Sequence, residues 1–492
     1  MAVETSPSLP PTASPAPHPA PKPHRHRNRV GALPPADLPH ASIAELAARG
    51  DLPATTEGLA IDLAMRVGDL LAGSGLSVND TVATMHRVCE AYGLTRAQID
   101  ITTYALTVSY NPGGGLPPVT VMRTVSTDDA NLSQVAATNR LVRLISEGLP
   151  LETATARFDA IRHARPPYPP WVAWVAAGST SLVVQLLFTT SWSVLAIALV
   201  TGLLLNRLME GLCHLGVPPF FRQLAGGWFT VAVAVLISWI NRTGHPGFLV
   251  GVSPTLVAAG CVFQLVVGMK FVSAMQDAID AFYVTATARL LQVAMETSGI
   301  VVGLITGLDL ANRAGAYAHI EPTMYPLGPV PAQYVAAAGA AMVWAIGRFA
   351  DGRTILLSGA AALVAWLGFS VSTHAGVGRV MTDFVAAVAA AFLFTMLVRR
   401  TNLPGFAIVN ASIVVLVPGL RLYYGLLWLV GTPTVPADTS VGWSYVGLAA
   451  AIALAIAAGA SLGMYFGRPV GDRVMPLPLS LYGRLRSRRS AD

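Results

Sequence analysis

From Trp171 to about residue 467 the chain is a succession of apolar blocks parted by short charged clusters, and no other feature constrains its fold so strongly. Backbone polar groups in hydrocarbon must be satisfied internally, so blocks near 20 residues long read as membrane-crossing helices. Candidate spans lie at 171–188, 192–208, 224–240, 248–268, 288–308, 332–349, 354–371, 382–398, 405–420 and 442–466, ten in all. Charged residues make up 12% of the chain and hydrophobic ones 53%. The charged share is about half that of ordinary globular domains, which excludes a water-soluble protein. Cys89, Cys213 and Cys261 have neither paired nor metal-ligand spacing, so no disulfide framework, metal site or cofactor is expected.

The segment before Trp171 is of another kind. Eleven of the first forty residues are proline, interleaved with the basic run Lys22, His24, Arg25, His26, Arg27 and Arg29. Residues 1–57 therefore read as a disordered arm without the apolar region of a secretory signal. Residues 58–165 read as a soluble α+β domain. Its Leu59, Leu63, Val67, Leu70 and Leu71 keep helical spacing, and Ser77 and Asn79 offer caps for a second helix. A β-rich stretch from Ile99 to Tyr110 and a strand from Val119 to Val125 suggest a hairpin, and two more helices follow near 131–147 and 151–164.

Charge sets the orientation. If the N-terminal domain is cytoplasmic, that side collects Arg162, Arg165, Arg207, Arg222, Lys270, Arg289, Arg348, Arg353, Arg399, Arg400 and the basic tail 468–492. The opposite side holds Arg242, Arg313, Arg379 and Arg421. The positive-inside rule then places both termini in the cytoplasm of a bacterium, with lipid rather than nucleic acid as the partner of the net +6 charge.

Two five-residue segments are alike, Val267-Gly268-Met269-Lys270-Phe271 and Pro418-Gly419-Leu420-Arg421-Leu422, 151 residues apart. Five spans separate them, an odd number, so the second copy must be inverted relative to the first. Two inverted five-span repeats, 166–320 and 321–467, are the expected membrane architecture.

At this point the chain resembles the threonine/serine exporter family, over about residues 58–467. The resemblance is carried by Met65, Arg66 and Gly73 in the opening helix, by Ala91-Tyr92-Gly93-Leu94, by Asp277 with Ala288-Arg289-Leu290, and by Leu416-Val417-Pro418-Gly419. Two positions depart from the family pattern: Val267-Gly268 stands where a Pro-Gly is expected, and Phe282 where a second acid is expected. The resemblance implies an exporter of threonine and serine, a transporter and not an enzyme.

A zwitterionic amino acid needs a cation or free N–H groups for its carboxylate and an acid or carbonyls for its ammonium. Lys270 and Arg421, beside the backbone breaks at Gly268 and Pro418-Gly419, are the candidate carboxylate site; interfacial snorkelling is the rival reading. Asp277, one helical turn from Asp280, is a candidate for the ammonium, and Asn410 for lining the path, as are Gln264 and Ser412. Glu296 is the only acid read as lying well inside a span, and it is the candidate proton carrier. Gly226-Gly227 and Gly299/Gly303 read as close helix packing. Energy then comes from the proton motive force by antiport, because Gly113-Gly114-Gly115 lacks the Lys-Ser/Thr of a phosphate loop. A homo-oligomer is compatible with all of this.

Two rival classes remain at this level, a small-solute channel and a membrane-anchored hydrolase. For the second the available groups are Ser74, Ser77, Cys89 and His86, none of them in a nucleophile elbow.

Overall fold

The computed structural model describes residues 56–474 apart from 103–104, 112–116, 126–130, 245–251, 267, 316–325, 399–404 and 431–436. All of them belong to the larger of the chain's two units, Leu38–Asp492. The proline-rich arm, Gly113–Gly115, Val267, Arg399, Arg400 and the tail after 474 lie outside the described residues.

The N-terminal part begins with α1 (Thr56–Gly73) and α2 (Val78–Ala91). Gly75, at φ +81°, turns the chain between them, and the Ser77 hydroxyl caps α2 by accepting from the Asp80 amide at 3.2 Å. Strands β1 (Gln98–Ile101), β2 (Ala105–Tyr110) and β3 (Val119–Thr124) form an antiparallel sheet in that order. The β-rich stretch from 99 to 110 is thus two strands, turned back so that Ile101 faces Leu106. Helices α3 (Leu132–Ser146) and α4 (Leu151–Arg162) complete this part. Its own core gathers Leu63, Met65, Leu71, Met85, Leu106, Ile145 and Phe158, all buried.

The apolar part consists of α5 (Pro170–Gly178), α6 (Thr180–Gln185), α7 (Trp192–His214), α8 (Pro219–Thr243), α9 (Pro254–Leu265), α10 (Gly268–Ile279) and α11 (Tyr283–Arg313). It continues with α12 (Val330–Ile346), α13 (Gly352–His374), α14 (Arg379–Val398), α15 (Gly405–Ile413) with a short 3-10 turn to Leu416, α16 (Gly419–Val430) and α17 (Thr439–Val474). Six of these helices are long and apolar enough to cross a membrane, and eight spans result if each bent pair counts as one. The chain is a polytopic helical membrane protein. The bent pairs are α9 with α10, at 43°, and the stretch Ala407–Leu416 with Gly419–Gly425, at 44°. α12 is apolar but shorter, and the first apolar block is split at Ser179.

Small residues set the closest approaches. Along α11, Gly299 and Gly303 abut the Phe220 and Leu224 carbonyls of α8, with Gly307 against Val231. The same spacing recurs where Gly459, Gly463 and Gly467 of α17 abut the Phe384, Val388 and Phe392 carbonyls of α14. A Cβ at most of these glycines would collide with backbone, so the helices come closer than any larger residue permits.

The N-terminal part docks on two loops of the apolar part. At the first, Asp277 Oδ1 accepts from the Val78 amide at 3.4 Å, Thr285 Oγ1 donates to the Ile101 carbonyl at 3.3 Å, and Phe282 packs into the N-terminal core. Phe282 therefore serves as an apolar knob between the two parts. At the second, the Leu132 amide donates to the Arg348 carbonyl at 2.8 Å and the Tyr168 hydroxyl to the Ile346 carbonyl at 2.6 Å. Ala281 and Phe349, one in each loop, hold positive φ of 67° and 57°, in the left-handed region that L residues rarely adopt.

Candidate functional site

The two helix breaks touch each other. Gly268, which opens α10, lies against the Val417 side chain, and Gly419, which opens α16, lies against the Val266 side chain. A Cβ at either glycine would overlap its valine. The contact is reciprocal: each break supplies a valine two residues before its glycine, and each glycine receives the other break's valine. α9 ends because Val266 is extended, at ψ 127°, and Val417 is extended likewise, at ψ 128°. The helical ladder is interrupted at both points. The Leu265 carbonyl beside the first break accepts from Gln223 Nε2 at 3.2 Å.

A cavity of about 610 Å³ lies on one side of the crossing, lined among others by Gly268, Lys270, Val417, Gly419, Asn206 and Arg348. Lys270, one of its charged lining residues along with Glu210 and Arg348, pairs with Glu296. Lys270 Nζ donates to Glu296 Oε1 at 2.8 Å and Oε2 at 3.0 Å, and Gln292 Nε2 donates to Oε1 at 2.7 Å. The Lys270 side chain is 47% exposed and the Glu296 side chain 5%, so the cation meets the cavity while the acid sits behind it. Gln264 also lines the cavity and ties it together, accepting from Ser181 Oγ at 2.8 Å and donating to the Gly202 carbonyl at 3.2 Å.

A second cavity, about 370 Å³, lies on the other side of the crossing and is lined by Pro418, Leu420, Arg421, Arg379, Trp366 and Leu327, among others. Phe263 and Val417 border both cavities. The two reach opposite ends of α12: the larger touches Val343 and Gly347 at its C-terminus, the smaller Leu327 just before its N-terminus.

The residues singled out from sequence are thus distributed as follows. Gly268, Lys270 and Glu296 come together at the larger cavity; Pro418 and Arg421 line the smaller, and Gly419 belongs to the crossing. Asn410 is buried on α15 and Ser412 bonds the Val409 carbonyl at 2.7 Å; neither lines these two cavities. Asp277 is held by Arg289 and the Val78 amide at the docking loop, outside both. Asp383, near the start of α14, is a further acid that the sequence reading does not single out: it is fully buried and bonded to Arg379 Nε at 2.8 Å. It stands second in its apolar block, a position that linear counting assigns to the interface. The signal that could have found it is the Arg379/Asp383 spacing of one helical turn.

Residues 62–311 match the family model described as "Putative threonine/serine exporter", and residues 330–465 match the model "Threonine/Serine exporter, ThrE". The chain belongs to the threonine/serine exporter family. A "Probable threonine/serine exporter" of Mycobacterium tuberculosis (strain ATCC 25618 / H37Rv) is 32% identical over 419 residues, which cover 83% of this chain and 77% of that protein. A "Threonine/serine exporter" of Corynebacterium glutamicum is 29% identical over 416 residues, 83% of this chain and 82% of its own. No solved structure matches. Within the exporter family match, the first model ends in the last turn of α11 and the second begins at the first residue of α12.

Proposed function

We propose that the chain exports small hydroxylated amino acids, threonine and serine, from the bacterial cytoplasm in exchange for protons. The names of the relatives supply substrate and direction. The observation that carries the mechanism is the Lys270–Glu296 pair, placed at a helix break between two cavities. A zwitterion entering the larger cavity offers a carboxylate to Lys270 and an ammonium to Glu296, so substrate can open the pair and satisfy both partners at once. The backbone at Gly268 and Gly419 completes the lining, and Arg421 receives the carboxylate beyond the crossing. When substrate leaves, Glu296 takes a proton and resets the site. Asp277 we assign to anchoring the N-terminal part, because both its oxygens are engaged there.

Alternating access follows from two inverted five-span halves. Several features support that arrangement. The contacts of α6 with α7, α8 with α11, α8 with α9, and α10 with α17 are matched by those of α12 with α13, α14 with α17, α14 with α15, and α16 with α11. The two glycine ladders and the reciprocal Gly268/Val417 and Gly419/Val266 contacts follow the same exchange, as a two-fold axis requires. In this reading ten crossings place both termini in the cytoplasm, with the larger cavity facing inward.

Counterflow of labelled threonine in proteoliposomes tests the proposal. A carrier takes up label faster when unlabelled threonine is inside. Equal rates with and without internal threonine would indicate a channel, and release of product from an ester or peptide would indicate a hydrolase.

A further inference from the structure

We propose that the 370 Å³ cavity is a second amino-acid subsite, which holds the carboxylate of a free α-amino acid between Arg421 and the indole N–H of Trp366 before release. The inference rests on the exporter reading above. Its observations are separate from the Lys270–Glu296 pair.

Trp366 lines the cavity and is 3% exposed, and its Nε1 has no hydrogen-bond partner among the described residues. A buried indole N–H ordinarily finds an acceptor, so a residue of the cavity wall carries an unmet donor. Arg379 and Arg421 line the same cavity. Arg379 is spoken for: it bonds Asp383 at 2.8 Å and its guanidinium lies 4.3 Å from the centre of the Phe369 ring. Among the described residues Arg421 has no hydrogen bond or ion pair of its own, and it shares the field of that one carboxylate. Two cations against one buried acid leave a surplus positive charge in an otherwise apolar cavity bordered by Phe263, Phe369 and Leu416. A planar anion with two acceptor oxygens suits that surplus: one oxygen for the guanidinium fork, the other for the indole N–H. The cavity lies at the small end of the range for small-molecule sites, in keeping with a ligand of few atoms. It adjoins the crossing at Val417 and Pro418, so an amino acid passing that point arrives beside Arg421.

Leu327 at the rim is 44% exposed and serves as the reporter. In a Cys213→Ser background, where Cys89 and Cys261 are buried, Leu327→Cys is labelled with a membrane-impermeant maleimide from the outer face of proteoliposomes. External threonine should slow labelling about threefold or more. Trp366→Phe, which keeps a ring and removes the donor, should cancel that protection. It should also raise the outer half-saturating threonine concentration about tenfold and the inner one less than twofold, the loss expected for one hydrogen bond to a charged group. A merely structural tryptophan would shift both faces together. Absence of threonine protection, or protection by laurate alone, overturns the subsite, and this arm stands even if Trp366→Phe fails to accumulate. Failure of wild-type counterflow would instead overturn the exporter reading itself.

Discussion

Lys270 Nζ sits 2.8 Å from one carboxylate oxygen of Glu296 and 3.0 Å from the other, joining the start of α10 to the middle of α11. Each residue stands out in the sequence as an ionisable group in an apolar region, yet neither names the other. Their pairing explains how a carboxylate can remain buried at Glu296, since a charge in a protein interior persists when it is paired and hydrogen-bonded.

Removing one partner should therefore cost more than removing both. Lys270→Met leaves a buried carboxylate with only Gln292 and should destabilise the protein by about 2 kcal/mol. Adding Glu296→Gln should recover about half of that, as coupled neighbours do. Thermal unfolding of the purified single and double variants in detergent checks this; strictly additive losses would show that the two groups do not depend on each other.

Glu296→Gln should separate the driving force from substrate movement. The amide imitates the protonated acid and cannot cycle a proton. Export driven by a pH gradient should fall at least about tenfold, while threonine exchange at equal pH persists with a raised half-saturating concentration, because the amide oxygen still accepts from the ammonium but no longer offsets its charge. Undiminished gradient-driven export by a well-accumulated Glu296→Gln protein would remove this residue from coupling.

The reciprocal fit at the breaks calls for a compensation test. Gly268→Ala should cost about 1–3 kcal/mol through overlap with Val417, and Gly268→Ala with Val417→Ala should restore much of the loss. Stability and counterflow measured on the same preparations report the result. No rescue by the second change would mean that Val417 is not what crowds the site.

In the N-terminal part, burial pushes the Cys89 thiol up to about 12, with Glu90 adding to the effect. Thiolate is the reactive form, so at pH 8 Cys89 is held protonated and unreactive. Iodoacetamide should modify exposed Cys213 and leave Cys89 intact until the protein unfolds. Equal rates at the two cysteines would reopen a nucleophilic role for Cys89.

Much of this was legible in the chain because hydropathy and charge act locally. The apolar blocks, the helix breaks and the Gly299/Gly303 contact all follow from short-range composition. What distance along the chain conceals is partnership. Gly459, Gly463 and Gly467 repeat the spacing of Gly299, Gly303 and Gly307, but their likeness is plain only once each ladder lies on its neighbour's carbonyls. Asp277 reads as free to bind an ammonium, since nothing in the sequence shows the first amide of α2 bonded to it. Asp383 does not stand out in the sequence, because burial is set by the surrounding helices and not by position within an apolar block.

The inverted repeat is tested most directly by accessibility at two equivalent positions. Met269 lines the larger cavity and Leu420 the smaller, each one residue after its break glycine. In the Cys213→Ser background, Met269→Cys should react with a membrane-impermeant thiol reagent from the cytoplasmic face and Leu420→Cys from the outer face. Reaction of both from the same face would contradict the two-fold arrangement and, with it, alternating access through this crossing.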